Sequence, residues 1–394
     1  MSGRLRTLAG LDVAGKRVLV RADLNVPLSE GAVLDDTRIV ESLPTIRQLL
    51  ERGATVILCS HLGRPKGRDL SQSLAPVATR LSELIGKPVI RATDCIGPEV
   101  RTLVESAPAG SVVLLENLRF HAEEEKNDPA FAAALASLAD AYVNDAFGAA
   151  HRAHASTEGV ARLLPSAAGL LMEKEVRYLG ELVANPPAPF AAVVGGAKVS
   201  SKIPAIDHLL PKIDILLVGG GMANTFLKAE GVDVQASLVE DEQVDAARRT
   251  IIRARERGVE VHLPVDCVTA DRFAADAATA TVDVGAVPHG HMILDIGPQS
   301  VTAFTTALAR AKAVVWNGPM GVFEMEPFSH GSFDLARAIA ALDATTVVGG
   351  GETAAVVAQA GLKDQFTHVS TGGGASLEML EGRELPGVAA LTDA

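Results

Sequence analysis

The sequence predicts an α/β protein built as two Rossmann-like parallel-sheet domains joined by a central helix. Three observations predict it. At 394 residues the chain is longer than one hydrophobic core usually serves. In both halves, short apolar runs alternate with helix-length segments, the pattern of strands covered on two faces. Between the halves, residues 165–189 read as one helix and its stop. Met172, Val176, Leu179 and Val183 recur at the helical period as one apolar stripe, and Glu173 precedes Arg177 by four on the wetter side. Asn185-Pro186-Pro187-Ala188-Pro189 then ends the helix, because proline has no N–H to continue it and restricts the residue before it. A second reading, an ordinary crossover helix followed by a proline-rich loop, stays open on these residues alone.

Hydrophobic residues make up 48% and charged residues 21%, enough for sizeable cores in a globular chain. The formal net charge of -12 argues against general nucleic-acid or membrane binding, so an anion must be held by a local basic cluster. Cys59, Cys95 and Cys267 lie far apart in apolar segments with neither disulfide nor metal spacing, which suits a reducing compartment. Residues 1–6 lack the apolar centre of a signal peptide, and no apolar run approaches membrane-spanning length. A cytoplasmic protein is expected.

In the first half, a strand opens the 16–27 run, and further strands are expected at 55–60, 88–91, 111–115 and 141–144. Helices are expected at 37–52, 74–85 and 129–139, with Pro44 either kinking the first or starting a second. The polar residues that follow the strands are the informative ones. Asp23 and Asn25 follow the first strand, His61 and Arg64 the second, and Arg119 the 111–115 run. Asn144, Asp145 and His151-Arg152-Ala153-His154 follow the last. In an open parallel sheet these positions meet at the carboxyl edge, where ligands bind. Arg38 falls in the first turn of a helix, where the dipole disfavours a cation, so its placement calls for a bound anion. With Arg21, Arg64, Arg119, Arg152 and His61 it makes a basic pocket whose forked guanidiniums suit phosphate and carboxylate.

The second half repeats a strand, a glycine turn and a helix. The turns are Gly195-Gly196-Ala197-Lys198, Gly219-Gly220-Gly221-Met222, Gly349-Gly350-Gly351-Glu352-Thr353 and Gly372-Gly373-Gly374-Ala375-Ser376. Glycine lets backbone approach a ligand, and a helix start offers N–H groups to phosphate oxygens. Four such turns favour a polyphosphate or nucleotide. The Walker spacing is absent, and so is the dinucleotide fingerprint. Lys198 and Lys202, four apart, read as stacked on one helix face and repel unless an anion lies between them. The Trp316 to Glu324 stretch adds a rigid loop in which Asn317 and Glu324 are polar contacts. The acidic clusters Glu123-Glu124-Glu125 and Glu240-Asp241-Glu242 read as solvated helix starts, and residues 376–385 as a short helix.

Together these stretches resemble a phosphoglycerate kinase, over nearly the whole chain. The resemblance rests on Arg21-Ala22-Asp23-Leu24-Asn25-Val26-Pro27, Asp35-Asp36-Thr37-Arg38-Ile39, Ser60-His61-Leu62-Gly63-Arg64-Pro65 and Glu116-Asn117-Leu118-Arg119-Phe120. It continues through His151-Arg152-Ala153-His154-Ala155-Ser156, the 195–202 run, the Trp316 loop and the 370–376 run. The resemblance implies that an N-terminal domain, 1–168 with 378–394, binds 3-phosphoglycerate or 1,3-bisphosphoglycerate. Its contacts would be Arg21, Asp23, Asn25, Arg38, His61, Leu62, Gly63, Arg64, Arg119 and Arg152. A C-terminal domain, 186–377, would bind ATP or ADP with Mg²⁺, and 169–185 would be the interdomain helix. The nucleotide contacts implied are Gly196, Ala197, Lys198, Lys202, Gly221, Ile293, Leu294, Asn317, Glu324, Gly350, Gly351, Glu352 and Thr353, with Glu352 at the metal. Arg38, Lys198, Gly372, Gly373 and Gly374 would stabilise the moving phosphoryl group.

The resemblance also implies a monomer whose final segment packs back on the N-terminal domain. Two residues depart from the family pattern. Glu352 stands where aspartate is common, which touches metal geometry; Ile293 stands where glycine is usual beside the adenine, which touches base preference. The reaction implied moves a phosphoryl group from 1,3-bisphosphoglycerate to ADP. In reverse the nucleophile is a carboxylate, ionised at neutral pH, so no general base is needed. A different small-carboxylate phosphotransferase, or a non-catalytic nucleotide-binding protein, would share parts of this pattern.

Overall fold

The computed structural model describes residues 3–393; residues 1, 2 and 394, at the ends of the expected 1–168 and 378–394 segments, lie outside the described residues. The chain separates into two compact units, Met1–Arg177 with Glu384–Ala394, and Tyr178–Arg383.

The first unit is built on six parallel strands, β1 (Arg17–Arg21), β2 (Thr55–Cys59), β3 (Val89–Arg91), β4 (Val112–Leu114), β5 (Ala141–Asn144) and β6 (Ser166–Ala168). Their order in the sheet is β3-β4-β2-β1-β5-β6, with Arg17–Arg21 paired residue for residue with Thr55–Cys59. Every residue of β2 and β5 is buried, which is why these strands read as unbroken runs. The helices are α1 (Thr37–Glu51), α2 (Ala75–Ile85), α3 (Pro98–Ser106) and α4 (Pro129–Ala136). Of the two readings of Pro44, α1 runs through it as a single helix. An interior proline costs about 3 kcal/mol. Ile39, Leu43, Ile46 and Leu49 of the same helix are buried against the sheet, and at about 1.5–3 kcal/mol each they outweigh that cost. The α3 helix was not expected; Gly97-Pro98 starts it, and Val100 and Val104 are its buried side.

The linking helix α5 runs Leu170–Ala184. Met172, Leu179 and Val183 of its expected stripe are buried, Val176 is half-buried, and Leu182 joins them. Glu173 turns to the first unit and accepts the N–H of Leu8 at 2.9 Å. Asp145 caps this helix. Its Oδ1 accepts the N–H groups of Leu171 at 2.9 Å and Met172 at 3.2 Å, and Gly169 leaves it room, since a Cβ there would lie 2.3 Å from that oxygen. Burial pushes the Asp145 carboxyl up to about 6. Asp145, placed by sequence among the ligand-edge residues, is therefore a helix cap.

The second unit holds β7 (Phe190–Val194), β8 (Ile215–Val218), β9 (Glu260–His262), β10 (Asp266–Ala270), β11 (Thr279–Asp283), β12 (Met292–Ile296), β13 (Ala313–Asn317), β14 (Thr345–Gly349) and β15 (His368–Val369). Six form a parallel sheet in the order β9-β8-β7-β13-β14-β15. The other three form a sheet in the order β11-β10-β12, antiparallel and absent from the sequence-based expectation. Around them lie α6 (Ile203–Leu209), α7 (Met222–Ala229), α8 (Val244–Glu256), α9 (Pro298–Leu308), α10 (His330–Ala340), α11 (Gly351–Gln359) and α12 (Gly374–Leu380).

Residues 378–383, expected with the N-terminal domain, group with the second unit. Gly382 lies so close to the His208 ring that a Cβ would sit 2.2 Å from it, which ties this turn to the end of α6. The return to the first unit begins at Glu384 and includes α13 (Pro386–Ala389). There Gly387 donates to Ala150 O at 2.8 Å, and Arg6 donates to the carbonyls of Ala390 and Thr392, both at 2.7 Å. No helix among the described residues is long and apolar enough to cross a membrane.

Candidate active site

The loops leaving β1, β2 and β4 are laced together at their carboxyl ends. Asn117 accepts the N–H of Leu62 at 3.2 Å and donates to Leu62 O at 2.8 Å. Asn25 Oδ1 accepts the N–H of Gly63 at 2.9 Å, and Ser60 Oγ that of Leu24 at 2.9 Å. Arg119 donates to Gly63 O at 2.7 Å and pairs with Glu125 at 3.1 Å. Arg38 lies in the first turn of α1, with NH1 held by Asp23 Oδ2 at 2.6 Å. Asp23, Asn25, Arg38, His61, Leu62, Gly63 and Arg119 thus share one sheet edge. Arg64 is exposed beside them, and Arg152 is half-buried with Nε on His151 Nε2 at 3.2 Å.

Arg21 is placed differently. It is 1% exposed, and its guanidinium is used internally: Nε to Ser156 Oγ at 2.9 Å, NH1 to Ala22 O at 2.5 Å and NH2 to His61 Nδ1 at 2.9 Å. It therefore acts through His61 instead of facing the pocket. An arginine can only donate, so Nδ1 is the acceptor and the ring proton sits on Nε2. Burial, then the charges of Arg21, Arg119 and Arg38, hold the His61 pKa well below its usual range. The same causes, burial first and then Arg119, Arg21 and Arg152, bring His154 down to about 4.

Beneath this lies Glu124, which is fully buried where a solvated acid was expected. It accepts Ser156 Oγ at 2.5 Å and Ser156 N at 3.0 Å, and so completes a chain from carboxylate through hydroxyl to Arg21. Burial raises its pKa and the Arg21 charge opposes that rise. A buried guanidinium needs such a counter-charge. An arginine at the end of a buried strand was the available signal for a hidden acid partner.

In the second unit the turns after β7, β8 and β13 interlock through backbone. Gly196 N donates to Pro319 O at 2.9 Å, Gly220 N to Met320 O at 3.0 Å and Met222 N to Gly196 O at 2.9 Å. Gly318 has φ +102°, and a Cβ on it would lie 2.1 Å from Gly195 O, so only glycine passes. Beside this cradle is a cavity of about 580 Å³. Gly196, Ala197, Gly220 and Gly221 line one wall, Leu238, Phe273, Met292, Ile293, Leu294 and Val322 an apolar one, and Glu324 and Glu352 supply carboxylates. A second cavity of about 230 Å³ is lined by Lys202, Asn317, Gly318, Gly350, Gly351, Glu352, Thr353, Gly373 and Gly374. Glu352, in the first turn of α11, lines both.

Asn317 is central to the smaller cavity. Its Oδ1 accepts from Lys202 Nζ, and its Nδ2 is buried with no partner. A buried amide N–H without a partner is costly, and a ligand oxygen would satisfy it. Thr353 Oγ1 accepts the N–H of Gly318 at 2.6 Å and locks the same turn. Burial lowers the Lys202 pKa, with Glu352 and Glu381 opposing.

Four expectations change here. Lys198 and Lys202 do not stack on a helix, because α6 begins only at Ile203, with Pro204 in its first turn. Lys198 is exposed next to Ala197 and lines neither cavity. Gly372 gives its N–H to Ser370 Oγ at 3.1 Å, whereas Gly373 and Gly374 line the smaller cavity. Glu240, read as a solvated helix start, accepts both Ser200 N at 2.9 Å and Ser200 Oγ at 2.6 Å and ties down the lysine loop. Sequence reasoning missed Leu238 and Phe273, which stand 54% and 59% exposed around the larger cavity. A single phenylalanine in the polar run Asp271-Arg272-Phe273-Ala274-Ala275-Asp276 was the available signal.

A parallel-sheet unit with an arginine-rich edge, and another with a glycine-cradled apolar cavity, are arrangements suited to anionic and amphipathic ligands at the carboxyl ends of strands. The family model for phosphoglycerate kinase matches residues 8–383. A phosphoglycerate kinase of Moorella thermoacetica is 58% identical over 388 residues, covering 98% of this chain and 99% of its own. The cytosolic phosphoglycerate kinase of Triticum aestivum is 57% identical over 393 residues, covering 98% of each. The structure of phosphoglycerate kinase from Coxiella burnetii matches with a TM-score of 0.89 at 43% identity, over 98% of this chain and 99% of that one. That from Pyrococcus horikoshii matches at 0.86 and 33% identity, over 98% of each. The chain belongs to the phosphoglycerate kinase family.

Proposed function

We propose that the arginine-rich edge of the first unit binds the glycerate substrate and that the two joined cavities of the second bind the nucleotide. The reaction is the reversible, glycolytic transfer of a phosphoryl group from 1,3-bisphosphoglycerate to ADP, giving 3-phosphoglycerate and ATP. The observation that carries the assignment of roles is the division of chemistry: guanidiniums at one sheet edge, glycine turns and an apolar wall at the other.

Arg38, Arg64, Arg119 and Arg152 hold the anionic groups of the glycerate, with His61 donating from Nε2 and Asp23 and Asn25 contacting its polar groups. Leu62 and Gly63 shape the same edge. In the nucleotide site, Ile293, Leu294 and Gly221 border the base, Gly196 and Ala197 the phosphates, and Glu324 the sugar. Asn317, Lys202, Gly350, Gly351 and Thr353 contact the phosphate chain. The acceptor carboxylate is ionised without help, so these residues act by positioning and by stabilising charge. Arg38, Lys198 and the N–H groups of Gly373 and Gly374 supply that charge, and Gly372 positions their turn.

The donor set suits Mg²⁺: Glu352 offers a hard carboxylate oxygen between the two cavities. Glu352 would hold the ion with the nucleotide, where it neutralises phosphate charge. The net charge of -12 and three buried free cysteines support a cytoplasmic monomer with no nucleic-acid or membrane partner. A coupled assay with ATP, Mg²⁺ and 3-phosphoglycerate, paired with calorimetry of each ligand, tests the assignment. Arg119→Ala should weaken 3-phosphoglycerate and leave ATP within about twofold. Equal losses for both ligands would overturn the division.

A further inference from the structure

Away from the residues assigned above, Asp94, Cys95 and His121 bring a carboxylate oxygen, a thiol sulfur and an imidazole nitrogen within 4.8 Å of one another. We propose that these three side chains form a site for a borderline-soft divalent cation, zinc being the best match, separate from the magnesium that accompanies the nucleotide. Sulfur, nitrogen and one carboxylate are the donor types zinc prefers, whereas magnesium demands oxygen ligands and retains water. The sequence hides the set, since Asp94 and His121 are 27 residues apart.

The backbone delivers the ligands from two rigid places. Asp94 and Cys95 follow β3, and the Cys95 N–H donates to Asp94 Oδ1 at 2.7 Å. His121 follows the short turn Leu118–Phe120, its Nε2 is 2.7 Å from Asp94 Oδ1, and its ring lies 5.4 Å from that of Phe131. Arg68 holds the other carboxylate oxygen, with NH1 3.4 Å from Asp94 Oδ2, and is itself fixed by Thr93 O at 2.7 Å and by the Phe120 face. The carboxylate is thus oriented from behind, as ligating carboxylates commonly are. The sulfur forms the floor, buried, while the Asp94 and His121 side chains are 32% and 27% exposed and leave a solvent-side approach.

The proton balance of binding is simple. A dication displaces two hydrogens: the Cys95 S–H bond breaks and its proton leaves to solvent, the Nε2 hydrogen that His121 donates to Asp94 Oδ1 is lost as the ring takes up a proton at Nδ1, and sulfur and Nε2 then each bind the metal. Two anionic ligands then balance the charge of +2, and a water takes the fourth position.

The test uses full-length enzyme in excess Mg²⁺, titrated with Co²⁺ as a spectroscopic probe and then with Zn²⁺. One equivalent of Co²⁺ should give intense tetrahedral bands and a sulfur-to-cobalt charge-transfer band, both removed by Zn²⁺. Cys95→Ser should abolish the charge-transfer band, and Asp94→Asn and His121→Gln should each weaken binding at least about tenfold. Cys267→Ser should change neither. A weak octahedral spectrum in the wild type would overturn the site. So would a charge-transfer band undiminished in Cys95→Ser, or in both Asp94→Asn and His121→Gln, which would leave a hydrogen-bonded packing anchor. Where Cys95→Ser fails to fold, the wild-type spectrum decides, because it reports both geometry and sulfur ligation.

Discussion

Arg38 stands in the first turn of α1, where the helix dipole repels a cation, and Asp23 holds it there at 2.6 Å. Such a placement is stabilised by an anion, and the charge developing on a transferring phosphoryl group is the one this enzyme meets. Arg38→Ala should lower kcat by about 10³, or roughly 4 kcal/mol, with nucleotide affinity kept. Purified variant with near-normal kcat would remove Arg38 from the transition state. His154 carries a prediction of another kind. Its folded pKa of about 4 lies below its ordinary 6.5, so its stabilising contribution is present above pH 6.5 and is lost as pH falls through about 4. His61 is shifted in the same direction. Urea unfolding midpoints should therefore fall over this range, and less steeply in His154→Gln; identical slopes would show that His154 titrates freely. At this scale the sequence was informative where a residue broke a local rule, as Arg38 does in the first turn of α1. Its pattern cast Glu124 as solvated, whereas the carboxylate is buried on Ser156, 32 residues away, and it placed Arg21 in the basic pocket, whereas the guanidinium is engaged by internal partners that include His61.

Elements were legible where their period was complete. Most strands of the two parallel sheets were legible because strands covered on both faces are apolar throughout, as β2 and β7 are; β6, inside the stretch read as the linking helix, and the half-exposed β9 were not. The three-stranded sheet escaped because β11 alternates exposed and half-buried residues over only five positions. The lysine loop was mistaken for helix because spacing alone cannot show that Pro204 sets the start of α6. The α11 helix poses a question of its own, since a glutamate in its first turn is favoured by the dipole with no ligand at all. Its position between the two cavities distinguishes the readings. Glu352→Gln should shift the Mg²⁺ titration at fixed ATP by roughly tenfold and leave the KM for 3-phosphoglycerate unchanged. An unmoved Mg²⁺ curve would reduce Glu352 to a helix-dipole residue.

On the scale of the whole molecule, the chain passes between its compact units within α5 and again between Arg383 and Glu384. The guanidinium edge belongs to one unit and the glycine cradle to the other. In-line transfer requires attacking oxygen and phosphorus about 3 Å apart, with water kept away from the acyl phosphate. A ligand shifts a conformational equilibrium only by its differential affinity for the two states. On the proposed assignment each substrate bound alone would meet its own unit and have little such preference, whereas the pair together would favour a closed state. Small-angle scattering should therefore show a smaller radius of gyration with ADP and 3-phosphoglycerate together than with either alone. The dihedral changes should fall at the ends of α5 and in the 371–374 turn, where φ and ψ can move without breaking a sheet. Catalysis by this division of labour would be refuted by a radius that is the same in the ternary state as in both singly liganded states.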